Sequence, residues 1–169
     1  MSIYYILQDQ KKCIGCLSCE VHCKSYKGLP LGPRLGQIIE VGPRMINDLP
    51  RQAFVFMPCF HCTDPWCVPA CPTGAMRLRP RDGIVYVDQS LCVGCKSCIN
   101  ACPWGVPQWN PETGKAVKCD YCRDRIDRGL KPACVTKCTA HALQWTTPAE
   151  ASAQKRERFA QEIAEQGAF

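Results

Sequence analysis

Sixteen cysteines in four groups of four constrain this chain more than any other feature. Groups one and three are spaced C-x2-C-x2-C-x3-C, group two C-x2-C-x4-C-x3-C and group four C-x2-C-x11-C-x3-C. In chain order the groups are Cys13, Cys16, Cys19 and Cys23; Cys59, Cys62, Cys67 and Cys71; Cys92, Cys95, Cys98 and Cys102; and Cys119, Cys122, Cys134 and Cys138. Because no cysteine is left over, the groups point to one shared framework.

The composition makes the cysteines the main source of stability. The 169 residues include 14 prolines and 12 glycines, and only 8% are aromatic, which excludes a large aliphatic core. Cysteines compensate through disulfides, zinc or iron–sulfur clusters. The segment MSIYYILQDQKKC has no signal-peptide pattern, and no apolar run approaches about 18 residues. We therefore expect a cytoplasmic chain with reduced thiols and no membrane insertion, unless a partner's signal exports it.

The spacing favours iron–sulfur clusters over zinc. Zinc modules use pairs of ligands separated by a long gap. In groups one and three, the first three cysteines can wrap three corners of a cubane, and the fourth ligates the other cluster of a pair. The prediction is four [4Fe–4S] clusters. The alternatives are a zinc-binding interaction module, a disulfide scaffold and a self-contained enzyme.

An internal repeat predicts which groups share clusters. Asp9-Gln10 before group one corresponds to Asp88-Gln89 before group three. Ala75-Met76 follows group two at the same offset as Ala142-Leu143 follows group four. A ferredoxin unit runs from one group through a hairpin into a second group. Groups two and three therefore form one pair, and groups four and one form the other across the termini.

Predicted strands lie in the segments that this pairing of the cysteine groups requires. Met76–Leu78 and Ile84–Val87 flank the turn residues Pro80-Arg81-Asp82-Gly83 and predict a hairpin between groups two and three. Leu143–Thr146 leaves group four, and Ile3–Leu7 enters group one. These last two segments are expected to pair with each other.

The predicted fold class is α+β, with one ferredoxin-like unit inserted in another. The inserted unit spans 59–103 and holds clusters two and three. The split unit spans 1–58 and 104–147, holds clusters one and four, and carries a loop insertion at 24–58. A helical tail spans 148–169.

The predicted ligand sets each combine three cysteines of one group with one of its partner group. They are Cys13, Cys16, Cys19 and Cys138 for cluster one; Cys59, Cys62, Cys67 and Cys102 for cluster two; Cys92, Cys95, Cys98 and Cys71 for cluster three; and Cys119, Cys122, Cys134 and Cys23 for cluster four.

The segments outside the cysteine groups predict covering or docking elements. Two short strands are predicted in the insertion, at Gln37–Val41 and Ala53–Met57. The segment 103–118 contains a turn at Asn110–Gly114. Both segments are either partner-docking surfaces or covering loops.

The tail reads as a capped amphipathic helix. Thr147 and Glu150 form a capping box with Pro148 at the first helical position, and Gly167 suits the C-terminal end. The helix either contacts a partner or a second copy, or lies solvated on its own domain.

Histidine and tryptophan have supporting roles in this prediction. His22, His61 and His141 are expected at the surface or behind the ligands, because the cysteines complete the ligand sets without them. The tryptophans near cysteines are expected to shield the clusters from water; they are Trp66, Trp104, Trp109 and Trp145.

The charge and the missing motifs exclude several function classes. The formal charge is +6, but sixteen thiolates around four 2+ cores would bring it to about −2, which argues against nucleic-acid binding. The sequence has no dinucleotide-binding G-x-G-x-x-G, no P-loop, no haem-attachment motif and no set of catalytic residues. The chain is therefore predicted to hold electrons and not to catalyse a reaction.

The sixteen cysteines resemble those of the four-cluster iron–sulfur subunits of molybdenum and tungsten oxidoreductases, of the dimethyl-sulfoxide-reductase and formate-dehydrogenase type. The resemblance covers residues 1–147. Some members of that family have Trp at the second position of group three and hold a three-iron cluster, whereas this chain has Cys95. The resemblance implies electron transfer between a pterin-metal catalytic subunit and a second redox partner.

The stretches CLSCEVHCKSYKGLPLGPR and VFMPCFHCTDPWCVPACPTGAM look most like the small subunit of bacterial tungsten aldehyde oxidoreductases. That likeness implies a tungstopterin catalytic subunit, an FAD-containing subunit that reduces NAD, and self-association into stacked oligomers. The alternative is the iron–sulfur subunit of a formate-dehydrogenase or dimethyl-sulfoxide-reductase type of molybdoenzyme.

Overall fold

The computed structural model describes residues 3–167. Within this range, eight strands form four separate two-stranded antiparallel sheets, joined by short helices and loops. The elements are β1 (Tyr5–Gln8), α1 (Ser18–Tyr26), β2 (Gln37–Ile46), β3 (Leu49–Met57), β4 (Met76–Leu78), β5 (Val85–Val87), α2 (Ser97–Ala101), β6 (Gln108–Asn110), β7 (Lys115–Val117), α3 (Arg123–Ile126), α4 (Ala133–Thr136), β8 (Leu143–Thr146) and α5 (Pro148–Glu165).

The strand expected at the start of the chain pairs with the strand expected after group four. β1 and β8 are antiparallel, with Tyr5 opposite Thr146 and Gln8 opposite Leu143. β1 begins later than predicted because the Ile3 N–H donates to the Asp82 carbonyl, 3.2 Å away, instead of joining β8. The pairing of the two ends of the chain is confirmed. The division into a split and an inserted unit stays a prediction.

The predicted hairpin between groups two and three is present as β4 and β5, with Met76 opposite Val87. Ile84, predicted as the first residue of the second strand, belongs to the turn. Its carbonyl accepts from Arg79 N–H and its own N–H donates to the Asp82 carboxylate. The turn is thus closed by a side chain, which shortens the strand by one residue.

The insertion contains a longer hairpin than predicted. β2 and β3 extend to a two-residue turn at Asn47-Asp48, where both residues have positive φ. This is the geometry of a type I′ turn, which favours Asn and Asp. The register shifts between Val41 and Arg44, where Gly42-Pro43 interrupts the alternating pattern. That interruption hid the outer half of the hairpin from the sequence prediction.

The C-terminal helix α5 has the predicted ends. Thr147 Oγ1 accepts from Glu150 N–H, and the Glu150 carboxylate accepts from Thr147 N–H, which completes the capping box. Gly167 follows the helix with a φ of 69°, the left-handed conformation of a C-terminal glycine. Ala151 is the buried residue of α5, and Phe159 is 63% exposed. The contact of α5 with a partner or a second copy stays a prediction, and residues 168 and 169 of the predicted tail lie outside the described range.

The interior consists of three apolar clusters, and cysteines contribute to every one of them. In the described part of the chain, no helix is both long and apolar enough to cross a membrane. The short sheets and helices thus serve mainly to place the cysteines.

Candidate iron–sulfur sites

All sixteen cysteines are free thiols, and twelve of them line three cavities in sets of four. Each cavity combines three cysteines of one group with one cysteine of another. The sets are Cys13, Cys16, Cys19 and Cys138; Cys59, Cys62, Cys67 and Cys102; and Cys92, Cys95, Cys98 and Cys71. The structure thus brings together the residues expected for clusters one, two and three.

The remaining four cysteines lie near one another in the interior. Burial raises the pKa of the Cys134 thiol well above its usual value, and the neighbouring cysteines Cys119, Cys23 and Cys122 raise it further. All four are buried. They are the residues expected for cluster four. Sets one to four are numbered after the clusters for which their cysteines are expected.

The cysteine sets do not have the geometry of single-ion sites. Among residues 3–167, no three His, Cys, Asp or Glu side chains converge as the ligands of one metal ion do. The cysteines line cavities instead, an arrangement that suits a polynuclear centre held at its corners.

The backbone takes the same path through groups one and three because each contains a left-handed glycine. Gly15 and Gly94 have φ angles of 67° and 70°. A Cβ on Gly94 would lie 2.2 Å from the Gly114 carbonyl oxygen, and one on Gly15 would lie 2.4 Å from the Phe54 ring. Glycine therefore allows each cysteine turn to pack closely under the neighbouring hairpin.

Backbone N–H groups donate to cysteine sulfurs in three of the four sets. The N–H groups of Met76 and Ala142 donate to Cys71 Sγ and Cys138 Sγ over 3.4 and 3.2 Å. The His61 N–H donates to Cys59 Sγ over 3.4 Å. Such donors stabilise thiolate sulfur. The donor set, four thiols with N–H groups around an apolar cavity, fits an anionic iron–sulfur cluster.

The buried thiols need a metal to become thiolates. Burial raises the pKa of Cys19 and of Cys23 to about 12, and the pKa of Cys67 to about 11. Burial also acts to raise the pKa of Cys71, but the N–H of Met76 and the Thr73 hydroxyl outweigh it and the pKa is lowered. Metal ligation therefore has to displace protons from the deeper cysteines.

Shared apolar clusters give the order of the four sets through the molecule. Cys138 of set one packs in the same cluster as Cys134 of set four. Cys119 of set four shares the next cluster with Cys59 of set two. In the last cluster, Cys67 of set two joins the cysteines of set three. The sets follow one another in the order one, four, two, three.

Two residues beside these sets are deeply buried. His61 is only 2% exposed, so of the two positions expected for it, at the surface or behind the ligands, the second is the one observed. Its Nδ1 accepts from Val85 N–H, which leaves the proton on a buried Nε2 that has no hydrogen-bond partner in the described chain. Lys118, which no sequence motif singled out, is also buried and lines the set-two cavity.

The other two histidines differ in burial, and two of the tryptophans pack against side chains or backbone of the protein. His22 is half-buried and His141 is exposed. Trp109 packs against Gly94. The Lys96 ammonium lies over the Trp109 ring, 4.4 Å from the ring centroid, in a cation–π contact. Trp145 stacks on Tyr4, with ring centroids 4.8 Å apart.

The set-two cavity has a volume of about 380 Å³ and an aromatic rim. Trp66 and Trp104 line it, yet they are 61% and 56% exposed. Phe60 meets Trp104 edge to face, with centroids 5.6 Å apart. These side chains border the cavity while presenting apolar surface to solvent.

Comparison with known proteins decides the family. A family model described as "4Fe-4S dicluster domain" matches residues 51–147. This protein belongs to the 4Fe-4S dicluster domain family. The "Thiosulfate reductase electron transfer subunit PhsB" of Salmonella typhi is 41% identical over 171 residues, covering 98% of the present sequence and 88% of that protein.

Further relatives of this chain are reductase subunits by name. The B subunit of the anaerobic dimethyl sulfoxide reductase of Escherichia coli (strain K12) is 40% identical over 149 residues, covering 84% of the present sequence and 72% of that protein. The subunit of the same name from Haemophilus influenzae is 37% identical over 153 residues, covering 86% of the present sequence and 74% of that protein. These relatives fit the alternative drawn from the sequence, a dimethyl-sulfoxide-reductase type of molybdoenzyme, better than the tungsten aldehyde oxidoreductases.

Proposed function

We propose that this chain is the electron-transfer subunit of a molybdenum-pterin reductase complex and holds four [4Fe–4S] clusters. Each cluster, when bound, supplies one-electron redox chemistry. The observation that carries the proposal is a series of four cysteine sets in which each set shares an apolar cluster with the next. A series of this kind suits the movement of electrons from one side of a protein to the other.

The residues of this chain have three tasks in the proposed function. The cysteines of sets one to four are the ligands. Backbone N–H groups, such as those of Met76 and Ala142, hold the thiolate sulfurs in place and stabilise their charge. Apolar side chains around the sets keep water away and so influence the potentials.

The catalytic partner is a molybdopterin subunit in this proposal, because relatives at 41% and 40% identity are subunits of thiosulfate and dimethyl sulfoxide reductases. We place catalysis in that partner. An FAD-containing partner and a tungsten centre rest on the sequence resemblance alone.

Elemental analysis of the complex, purified anaerobically through a tag on this chain, tests the proposal. We expect about 16 iron atoms per chain, four for each of four clusters, together with molybdenum. Tungsten in place of molybdenum would keep the electron-transfer function and move the partner to the aldehyde oxidoreductases. Zinc with little iron would overturn the proposal.

A matched pair of variants tests the ligand sets. Cys16 and Cys95 are the second cysteines of groups one and three, and both are exposed. Cys16→Ser and Cys95→Ser should each lose or convert one cluster, at opposite ends of the series. Electron paramagnetic resonance should show a different signal missing in each variant. If either variant kept its full iron content and electron transfer, that ligand set would be wrong.

A further inference from the structure

Lys118 is a buried cation at the wall of the set-two cavity. Its side chain lines the cavity together with Cys59, Cys67 and Cys102, and the residue is only 5% exposed. Its Nζ donates to the carbonyl oxygens of Val85 and Cys119, the latter at 2.6 Å. The ammonium is thereby fixed in position between β5 and the start of group four.

No carboxylate in the described chain forms an ion pair with Lys118. The contrast with Lys27 is informative, because Lys27 Nζ lies 2.8 Å from Asp120 and 3.4 Å from Asp124. An isolated charge inside a protein is costly, and two carbonyl dipoles offset only part of that cost. Lys118 therefore needs a negative charge from another source.

The neighbouring His61 does not provide that charge. Its Nδ1 accepts the Val85 N–H, and its imidazole ring is an uncharged or positive group that bears no negative charge. The remaining candidates are the cysteine thiolates. Cys59, Cys67 and Cys102 line the same cavity as Lys118.

We infer that Lys118 is the internal counter-ion of cluster two and raises its reduction potential. The inference rests on the proposed function, since it requires a cluster at this set. Four thiolates around a 2+ core carry a net negative charge, and uptake of one electron from a partner adds another. A fixed ammonium favours the more negative, reduced state, and it requires no proton uptake.

The other cavities lack a comparable charge. The residues that line the set-one cavity include no lysine or arginine. Lys96 lines the set-three cavity but is exposed, so water and salt screen its charge. The effect of Lys118 should accordingly be largest at cluster two, and smaller at cluster four through Cys119.

Three variants of the full chain in its native complex test this inference. Lys118→Met removes the charge and keeps much of the side-chain volume, whereas Lys118→Arg keeps the charge. Lys115→Met is the matched control, because Lys115 Nζ also donates to a backbone carbonyl, that of Gln89, but lines none of the cysteine cavities. The measurements are iron per chain and the four midpoint potentials, from redox titrations followed by electron paramagnetic resonance.

We expect Lys118→Met to lower the midpoint potential of one cluster most, Lys118→Arg to stay close to the wild type, and Lys115→Met to change none. Loss of one cluster's iron in Lys118→Met alone, with iron retained in Lys118→Arg, would also show that the charge matters. Unchanged potentials in Lys118→Met, or equal iron loss in the Met and Arg variants, would overturn the inference. A wild-type protein without iron would instead refute the proposed function.

Discussion

The His61 ring lies against the Tyr121 ring, with ring centroids 3.7 Å apart. The two residues have the same place in their groups, directly before the second cysteine, and both have positive φ, 46° and 52°. Groups two and four thus meet through equivalent residues at the middle of the molecule. Trp145 of β8 meets Tyr121 edge to face at 5.0 Å, which connects this contact to the sheet that joins the chain ends.

Tyr121→Ala should destabilise the centre of the protein. Removing a fully buried aromatic ring typically costs about 3–5 kcal/mol, because a cavity remains. We expect visible iron–sulfur absorption to disappear faster in guanidinium chloride than in the wild type. Tyr121→Phe, which keeps the ring, is the control. Equal rates for the Ala variant and the wild type would contradict this packing role.

Gly94→Ala should prevent normal assembly of set three. The added Cβ would meet the Gly114 carbonyl at 2.2 Å, and backbone has little room to move. Gly129→Ala is the control, because Gly129 also has a positive φ, 72°, but nothing lies within 4 Å of its added Cβ. Gly129→Ala should cost only the backbone strain of about 1–2 kcal/mol. Iron per chain should fall in the first variant and stay at the wild-type value in the second.

Gln8→Ala should loosen the β2–β3 hairpin from the body of the protein. The Gln8 side chain donates to the Phe54 carbonyl at 2.7 Å and accepts from Phe56 N–H at 2.8 Å, as a neighbouring strand would. Losing both bonds leaves part-buried backbone groups unpaired, at about 1–3 kcal/mol. Hydrogen exchange at 37–57 should accelerate. Gln52→Ala, which removes an exposed contact with Glu40, should leave the exchange of the hairpin base unchanged.

The stability of the first turn of α5 should depend on pH through Glu150. Hydrogen bonds from Thr147 N–H and from the side chains of Thr147 and Thr146 hold the pKa of Glu150 below its ordinary value of 4.5. A depressed pKa means that this stabilisation is present above the unfolded-state pKa and is lost as the pH falls through the folded-state pKa.

Comparison with Glu150→Ala isolates this effect from the intrinsic pH dependence of exchange. We expect wild-type amides at the start of α5 to be better protected than those of the variant at neutral pH. The two should converge as the pH falls below the ordinary value of 4.5 and through the folded-state pKa. A constant difference over this range would contradict a role for the ionised carboxylate.

Much of the candidate site could be predicted because its chemistry is local in sequence. Cysteines three residues apart in one turn can line the same cavity, because the short spacing alone brings their side chains together. The strand signals of 143–146 and 76–78 depend on alternation within a few residues. The outer half of the β2–β3 hairpin was missed where Gly42-Pro43 broke this alternation.

Residue types and their spacing were enough to predict the kind of cofactor, which cysteines the fold brings together, and the pairing of the two chain ends through β1 and β8. The order of the four sets and the burial of His61 and Lys118 emerged only from the folded molecule. Both depend on contacts between residues far apart in the chain, and spacing within a segment carries no information about those contacts. From the sequence alone, a lysine next to a cysteine is expected to be a surface charge. In the folded molecule, Lys118 is instead buried and donates to the Val85 carbonyl.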